Sequence, residues 1–381
     1  MSSASSVPQS LPPCPFQTGG PLQRTQSAAF VGRRELLRRL YGAIAQGNNV
    51  AIESGSMLGK SSLLLHLCRN YEAEVQGAGL TGAELVMVYV NLQDGRYRRE
   101  EDFYGAIVTE LQRSPKVQGN GALVQALQNP AGAGAGWDRV GFGEMLRRWR
   151  AVGVKPVLCL DKFEELLEHP DNFPDHFYDN FRSLTQDHVL SVILTTNRNV
   201  EQYAKTQRLT SDFFNQVTSC SLGELTEEEA DQLARLPWRV GDAQQIQRMQ
   251  QVWTIEHVKL VRRLGKTHPY WLQVAGCYLW EELVAGQPWV AQKQAAQRRF
   301  MAQEQRVRNG ASRFQRWPQL LRQILSLFAW IGRLTLRVGQ GVSELQEVLV
   351  GITVVVVLAA AVVLGASWAD VREFLQNLLG G

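Results

Sequence analysis

The feature that most constrains the fold is a short apolar strand that runs into a glycine-containing loop and then into a helix. The strand is residues 49–53, the loop is Ser54-Gly55-Ser56-Met57-Leu58-Gly59-Lys60-Ser61, and the helix opens with Leu63-Leu64-Leu65. The loop matches the second half of the pattern G-x-x-x-x-G-K-[ST], but Ser54 stands at its first glycine. Backbone N–H groups at such a helix N-terminus hold phosphate oxygens. A bare G-K-S string also suits an ordinary helix start, but the strand–loop–helix context favours a phosphate-binding loop.

The residue types of this loop predict which part of a nucleotide each would contact. Lys60 is expected to reach the β- and γ-phosphates, and the Ser61 hydroxyl is expected to ligate Mg²⁺. The predicted cofactors are therefore ATP and Mg²⁺. The loop residues predicted to bind the nucleotide are Ser54, Gly55, Ser56, Met57, Leu58, Gly59, Lys60, Ser61 and Ser62.

A second apolar run, residues 156–160, ends in Asp161. This pattern is typical of a buried parallel strand with a carboxylate at its C-terminal edge, which would join Ser61 as a ligand of the Mg²⁺ shell. The alternative for Asp161 is an ordinary helix N-cap. The next residue is Lys162, and an ammonium cannot accept a proton from water at neutral pH. The sequence therefore predicts nucleotide binding more firmly than hydrolysis.

Four residues are candidates for a catalytic role. Glu164 and Glu165 follow Asp161 closely, and either carboxylate would be able to replace the missing general base. The apolar strand 189–194 is followed by Thr196 and Asn197, whose polar side chains are candidates to contact the γ-phosphate or the attacking water. For these last two residues a simple turn after a strand is an equally good interpretation.

The order of patterns predicts an α/β fold, with a parallel sheet and flanking helices, followed by a small all-α lid domain. The helical part opens with a capping-box arrangement, Thr226 followed three residues later by Glu229. The predicted boundaries are 1–25 for a disordered leader, 26–225 for the sheet domain, 226–290 for the lid domain, 291–347 for a basic amphipathic juxtamembrane segment, 348–368 for a transmembrane helix and 369–381 for a short non-cytoplasmic tail.

Residues 348–368 carry no charge and are long enough to cross the hydrocarbon core of a membrane as a helix, with Trp368 at the interface. The alternative is a buried helix of a soluble domain. Residues 293–337 hold ten Lys or Arg against one acid, Glu304. Positive flanks stay cytoplasmic, so we predict a single-pass membrane protein with its sheet domain in the cytoplasm. The basic segment is expected to lie on anionic lipid, or else to pack on the preceding domain.

The five cysteines are scattered and show no paired metal-ligand spacing, which indicates reduced thiols in the cytosol. Residues 1–24 are rich in Ser, Pro and Gln and lack the apolar run of a secretion signal. They are therefore predicted to be disordered.

At a series of motifs the chain resembles the bacterial AAA-like ATPases of the STAND class, the signal-transduction ATPases with numerous domains. The resemblance covers about residues 30–284. Besides the phosphate loop, the motifs are Phe30-Val31-Gly32-Arg33-Arg34-Glu35, Leu160-Asp161-Lys162-Phe163-Glu164-Glu165-Leu166, Phe177-Tyr178-Asp179-Asn180-Phe181-Arg182-Ser183-Leu184, Ser211-Asp212-Phe213-Phe214-Asn215, Leu222-Gly223-Glu224-Leu225-Thr226-Glu227-Glu228-Glu229-Ala230 and His268-Pro269-Tyr270-Trp271-Leu272-Gln273.

This resemblance implies a P-loop NTPase fold with the nucleotide held between the sheet domain and the lid domain. It implies that Val31 and Arg33 border the base and that His268 and Pro269 approach it from the lid. For residues 265–269 a helix break by Gly and Pro explains the sequence equally well. The chain departs from the family at three points: Ser54 and Lys162 make the Walker A and Walker B motifs degenerate, and a membrane anchor replaces the long sensor region.

The leading functional hypothesis is a membrane-anchored ATP-binding signalling switch with slow or absent hydrolysis. Nucleotide would close the lid and expose a surface for a homo-oligomer or a protein partner. The alternatives are an active ATPase that uses Glu164 or Glu165 as general base, and a membrane scaffold whose nucleotide site has decayed. Nucleic acid is disfavoured as a partner, because the adjacent membrane span explains the basic segment better.

Overall fold

The computed structural model describes residues 11–22, 29–77, 85–128 and 136–309. The chain divides into two units, residues 1–300 and 301–381, and the architecture below is that of the first. Its strands are β1 (Asn49–Glu53), β2 (Leu85–Asn91), β3 (Lys155–Asp161), β4 (Ser191–Thr196) and β5 (Val217–Ser221). Its helices are α1 (Arg34–Ala45), α2 (Lys60–Gly77), α3 (Glu100–Gln112), α4 (Pro115–Gln118), α5 (Gly121–Ala126), α6 (Arg139–Ala151), α7 (Glu164–Leu167), α8 (Asp175–Gln186), α9 (Val200–Thr206), α10 (Glu227–Ala234), α11 (Ala243–Val252), α12 (Ile255–Gly265) and α13 (Pro269–Val284).

The strands form one parallel sheet in the order β2-β3-β4-β1-β5, so the predicted α/β class with a parallel sheet is confirmed. In register, Val50 of β1 lies beside Ile193 of β4, and Leu158 of β3 lies beside Val192. β4 therefore separates the strand before the phosphate loop from the strand that ends in Asp161. The residues of β4 are buried throughout, as expected of a strand covered on both faces.

Each strand sends alternate side chains to two apolar layers, because side chains alternate across a sheet. One layer holds Val86, Val88 and Val90 of β2 with the aromatic side chains of α3 and α8. The other layer holds Leu85 and Met87 with α1 and α2. These two layers hold the sheet between its helices. The phosphate loop and Asp161 both lie at the carboxyl ends of the strands.

The segment from α10 to α13, with the helical residues 289–300, forms a separate apolar core around Trp253 and Trp280. The capping box at the start of α10 is present. The Thr226 hydroxyl accepts from the Glu229 N–H, and the Glu229 carboxylate accepts from the Thr226 N–H. The indole N–H of Trp253 donates to the carbonyl of Ala234 at 3.0 Å, which satisfies its polar atom inside the core. The predicted lid domain, residues 226–290, falls within this helical core, and its action as a lid stays a prediction.

Part of the expected disordered leader is ordered. Residues 11–22, hereafter the strap, lie against the helical core, and Phe16 is buried with 4% of its surface exposed. The composition of the leader suggested disorder, but Phe16, together with the partly buried Leu11, Cys14 and Leu22, supplies apolar contact with the helical core. Residues 1–10 and 23–25 lie outside the described residues.

Within the part of the chain that the structure describes, no helix combines the length and the apolar character needed to cross a bilayer. The predicted span 348–368, the tail 369–381 and the basic segment beyond residue 309 lie outside the described residues. Residues 291–309 of the basic segment are helical.

The five cysteines carry free thiols, as their number and spacing suggested.

We expect Gly265→Ala to destabilise the helical core, because a Cβ at this position would lie 2.6 Å from the backbone nitrogen and Cα of Leu272. Overpacking of this kind costs about 1–3 kcal/mol. Gly105→Ala is the matched control, since it lies inside α3 with open space around its Cα and should stabilise by about 0.5–1 kcal/mol. Urea unfolding of the two variants beside wild type gives the comparison. Equal midpoints for the two variants would contradict the close packing of α12 on α13.

Candidate functional site

The phosphate loop connects the end of β1 to the first residue of α2, as its sequence predicted. The backbone turns sharply there, with left-handed φ values of 65° at Met57 and 93° at Gly59. Glycine adopts such a φ without steric cost, which accounts for Gly59. Ser54, which replaces a glycine, keeps a negative φ, and its N–H donates to the Thr196 carbonyl at 3.2 Å. The serine is therefore compatible with the loop backbone.

The Lys60 side chain folds back over the loop. Its Nζ donates to the carbonyl oxygens of Ser54 at 2.8 Å and Gly55 at 2.9 Å, and to Oδ1 of Asn197 at 2.9 Å. Burial lowers the pKa of Lys60, while the nearby carboxylates of Glu164 and Asp161 act in the opposite sense. A cation held by neutral oxygens at a helix N-terminus is a suitable ligand for a phosphate anion.

Asp161 is buried at the end of β3, and both of its carboxylate oxygens accept hydrogen bonds. Thr195 donates to Oδ1 at 2.6 Å, and Tyr89 donates to Oδ2 at 2.7 Å. Burial, with the adjacent Asp161 charge, raises the pKa of Tyr89, so its hydroxyl keeps the proton that it donates. Two neutral donors thus fix the orientation of the carboxylate.

Asn197 joins the cation of the phosphate loop to a second carboxylate. Its Oδ1 accepts from Lys60, and its Nδ2 donates to Oε1 of Glu164. Glu164 is buried, and its Oε2 has no hydrogen-bond partner among the residues that the structure describes. Burial raises the pKa of Glu164, and the charge of Lys60 partly opposes this shift. A buried carboxylate with one unpaired oxygen is a suitable acceptor for the proton of a bound water.

The other two catalytic candidates, Glu165 and Thr196, and the neighbouring Lys162 make hydrogen bonds or ion pairs with other residues. Glu165 accepts from Gln93 at 3.0 Å and pairs with Arg98 at 3.2 Å. Lys162 has a left-handed φ of 61°, and its ammonium donates to the side-chain oxygen of Gln93. Thr196 is fully buried, and its hydroxyl donates to the backbone carbonyl of Arg198. Of the four candidates, Glu164 and Asn197 are thus the two that the structure brings together beside Lys60.

A cavity of about 580 Å³ extends from these groups to the helical core. Several predicted binding residues lie in its wall: Val31, Arg33, Ser56, Met57, Leu58, Gly59, Lys60, Ser61, Ser62 and Pro269. The predicted metal ligands Ser61 and Asp161 also line it. Ser54 and Gly55 accept hydrogen bonds from the Lys60 ammonium through their carbonyl oxygens, and Nδ1 of His268 is buried without a hydrogen-bond partner among the described residues. The binding roles of all these residues stay predictions.

Arg33 makes contacts that the sequence did not predict. Its guanidinium donates to the carbonyls of Gly223 at 2.7 Å and Glu224 at 2.9 Å, in the linker between β5 and α10. Its backbone N–H donates to the carboxylate of Glu229, on α10. Arg33 therefore connects the wall of the cavity to the start of the helical domain.

Sequence reasoning also missed several cavity residues. Gln93, in the turn after β2, and Tyr270 and Gln273, on α13, line the cavity. Tyr89 of β2 is not in the wall, but it donates to Asp161, which is. The signal for Tyr89 was available, since a tyrosine two residues from the end of a buried strand lies close to the carboxyl ends of the strands. The strap residues that line the cavity gave no local signal at all: Gln17, Thr18, Gly20, Pro21 and Leu22.

Comparison with known proteins finds no matching family model, and no curated protein matches the sequence. Among solved structures, a Walker-type ATPase of Pyrococcus abyssi is similar at 15% identity and a TM-score of 0.49, over 78% of this chain and 81% of that chain. The ORC2 protein of Aeropyrum pernix, in ADPNP–ADP complexes, is similar at 14% identity and a TM-score of 0.48, over 76% of this chain and 70% of that chain. Domain III of the Thermotoga maritima replication initiation protein DnaA has 16% identity and a TM-score of 0.42, over 74% of this chain and 99% of that chain.

The architecture itself is a parallel sheet with a phosphate loop after β1 and a helical domain beyond β5.

Proposed function

We propose that this protein binds ATP with Mg²⁺ between the sheet domain and the lid domain. The observation that carries the proposal is the convergence of Lys60, Asp161 and Glu164 at the phosphate-loop end of one cavity. The donors fit a hard divalent cation, since the Asp161 carboxylate and the Ser61 hydroxyl are both oxygen ligands. Mg²⁺ bound there would neutralise charge on the phosphate oxygens. Lys60 and the loop N–H groups would hold the same phosphates.

Lys60→Ala should weaken ATP–Mg²⁺ binding by about thirtyfold or more, since truncating one partner of a buried charge pair costs about 2–5 kcal/mol. Isothermal calorimetry on the full-length protein measures the effect. Lys205→Ala is the matched control, because Lys205 lies on α9 in an exposed pair with Glu201 and away from the cavity wall. Equal affinities for Lys60→Ala and Lys205→Ala would end the proposal of a nucleotide site.

We further propose that hydrolysis, where it occurs, uses Glu164 as the general base. The unpaired Oε2 of Glu164 would accept the proton of the attacking water, while Asn197 holds the other oxygen and keeps the carboxylate beside Lys60. Lys162 occupies the position where an acid is expected, but its ammonium is bound to Gln93. The proposal selects the active-ATPase alternative with Glu164 over the one with Glu165.

Glu164→Gln should lower the ATPase rate about a hundredfold to ten-thousandfold, which is the usual contribution of a positioned base. Glu165→Gln should leave the rate close to that of wild type, because Arg98 and Gln93 already hold Glu165. The base must be ionised, and burial raises the pKa of Glu164. The wild-type rate should therefore fall, on acidification, at a higher pH than an exposed glutamate would give. A steady-state phosphate-release assay from pH 4 to pH 8 measures all three expectations.

The slow-switch hypothesis gives a different result in the same assay. It expects a low wild-type rate that Glu164→Gln leaves unchanged and that Lys162→Glu increases. That pattern would contradict the role of Glu164 and would favour a nucleotide-gated switch without turnover.

For the role of the bound nucleotide, we propose a signalling switch of the STAND type. The cavity wall takes Lys60 from the sheet domain and Pro269 from the lid domain, so a ligand in the cavity would contact both. Such a ligand shifts a two-state equilibrium only through its different affinity for the two states. A homo-oligomer or another protein would then read the closed state. That nucleic acid is not a partner stays a prediction.

We also propose that residues 348–368 anchor the protein in a membrane, with the ATPase domain in the cytoplasm. The uncharged stretch and its basic flank support this proposal. The full-length protein should stay with the membrane fraction after a carbonate wash, and a chain that ends before Val348 should be released. Recovery of the full-length chain without detergent would contradict it and favour a buried helix.

A further inference from the structure

The strap touches both domains that form the cavity. In the helical core, the Phe16 ring packs 5.6 Å from the ring of Trp253, between centroids. Gly276 of α13 makes room for it, because a Cβ there would lie 2.5 Å from the Phe16 ring. Farther along the strap, the Leu22 N–H donates to the hydroxyl of Ser62, in the first turn of α2, at 3.1 Å. The strap therefore runs from the lid domain to the helix that carries the phosphate loop.

Between these two ends the strap forms part of the cavity wall. The Gln17 N–H donates to the side-chain oxygen of Gln273 at 2.9 Å, and both residues line the cavity. Thr18 and residues 20–22 line it as well. The wall on this side thus contains backbone from the N-terminal segment and a buried glutamine from α13.

Part of the strap lies beside the apolar section of the cavity wall. With the nucleotide placed as proposed above, the loop N–H groups and Lys60 would hold the phosphates at the polar part of the cavity. Phe16 belongs to the same apolar cluster as Val31, Leu225 and Leu233, and these three residues line the cavity too. Apolar walls with a few polar groups are typical of the part of a site that binds an aromatic ring. The strap therefore lies along the wall from this apolar part of the cavity to Ser62, beside the phosphate loop.

We propose that the strap is a third binding element of the nucleotide site, which covers the base and the sugar and slows the release of the nucleotide. The proposal rests on the nucleotide binding proposed above and adds an element to the same site. Gln17 and Thr18, with Gln273 behind them, are the polar groups that would face the edge of the base. A nucleotide would then leave only after the strap separates from α13, so the strap would control the dissociation rate.

Phe16→Ala tests the proposal, because Phe16 fixes the strap but does not itself line the cavity. Losing this anchor should raise the dissociation rate of a fluorescent ATP analogue about tenfold or more, in line with the rule that affinity changes reside mostly in dissociation. Phe300→Ala is the matched control, since Phe300 is equally buried in the same helical core, at 4% exposed, and packs on Trp271 instead of the strap. Its dissociation rate should stay within about twofold of wild type.

Stopped-flow displacement of the analogue from the full-length protein measures these rates. An unchanged rate in Phe16→Ala, or a rate raised equally in Phe300→Ala, would overturn the proposal. Slower dissociation in Phe16→Ala would also overturn it, because the strap would then compete with the nucleotide for the cavity.

Hydrogen exchange on the wild-type protein supplies a measurement that depends on no variant. On addition of ATP–Mg²⁺, amides of residues 12–22 should become protected together with those of the phosphate loop, residues 54–62. Protection of the loop without protection of the strap would refute the strap proposal and leave nucleotide binding intact. Protection of neither would refute nucleotide binding itself, so the two failures are distinguishable.

Discussion

The end of β4 determines the geometry of the site. The Thr196 carbonyl accepts from the Ser54 N–H at 3.2 Å, at the start of the phosphate loop. The Thr195 carbonyl accepts from the Phe163 N–H at 2.9 Å, in the turn that follows Asp161. Because β4 lies between β1 and β3, two successive residues at its end fix the phosphate loop on one side and the acidic turn on the other. Asn197, the next residue, then lies within reach of both Lys60 and Glu164.

The buried charges at the carboxyl ends of these strands are only partly balanced by their protein neighbours. Burial raises the pKa of Glu164 and lowers the pKa of Lys60, and each of these shifts opposes the charged form. The mutual attraction of the two groups reduces both shifts without removing them, since neutral oxygens and the Asn197 amide separate the charges. Buried charges with incomplete partners are costly, and they are common at sites that bind a charged ligand or transfer a proton. The arrangement is consistent with the nucleotide site proposed above.

The parts of the fold that the sequence predicted are those with local signals. The strands β1 and β3, the phosphate loop and the capping box at Thr226 each depend on a few neighbouring residues, and each is present. Glu164 was a candidate beside Glu165, but its selection depends on Asn197, which lies 33 residues further along the chain. Such contacts follow from strand order, which periodicity does not specify.

The order of the strap could not be predicted from composition, because it depends on contacts with residues far away in sequence. The serine and proline content of residues 1–24 suggested disorder, whereas the strap is held in part by Phe16, for which Gly276 makes room in the helical core. Gly276 lies 260 residues from Phe16 in sequence, so no window of the chain contains both. Arg33 illustrates the same limit, since its contacts with Gly223 and Glu224 belong to a linker that sequence alone places only approximately.

These long-range contacts also indicate how the two domains would respond to a ligand. Gly32 has a φ of 75°, and a Cβ there would lie 2.5 Å from the Glu229 side chain, so glycine permits the segment before α1 to approach α10 closely. Arg33, the next residue, donates hydrogen bonds to the carbonyls of Gly223 and Glu224 in the linker between β5 and α10, and it also lines the cavity. A ligand that moves the 31–33 segment would therefore move the linker and α10 as well. Since the phosphate loop, the strap and α13 all contribute to one cavity, occupancy would favour the domain arrangement in which these three walls are closest together.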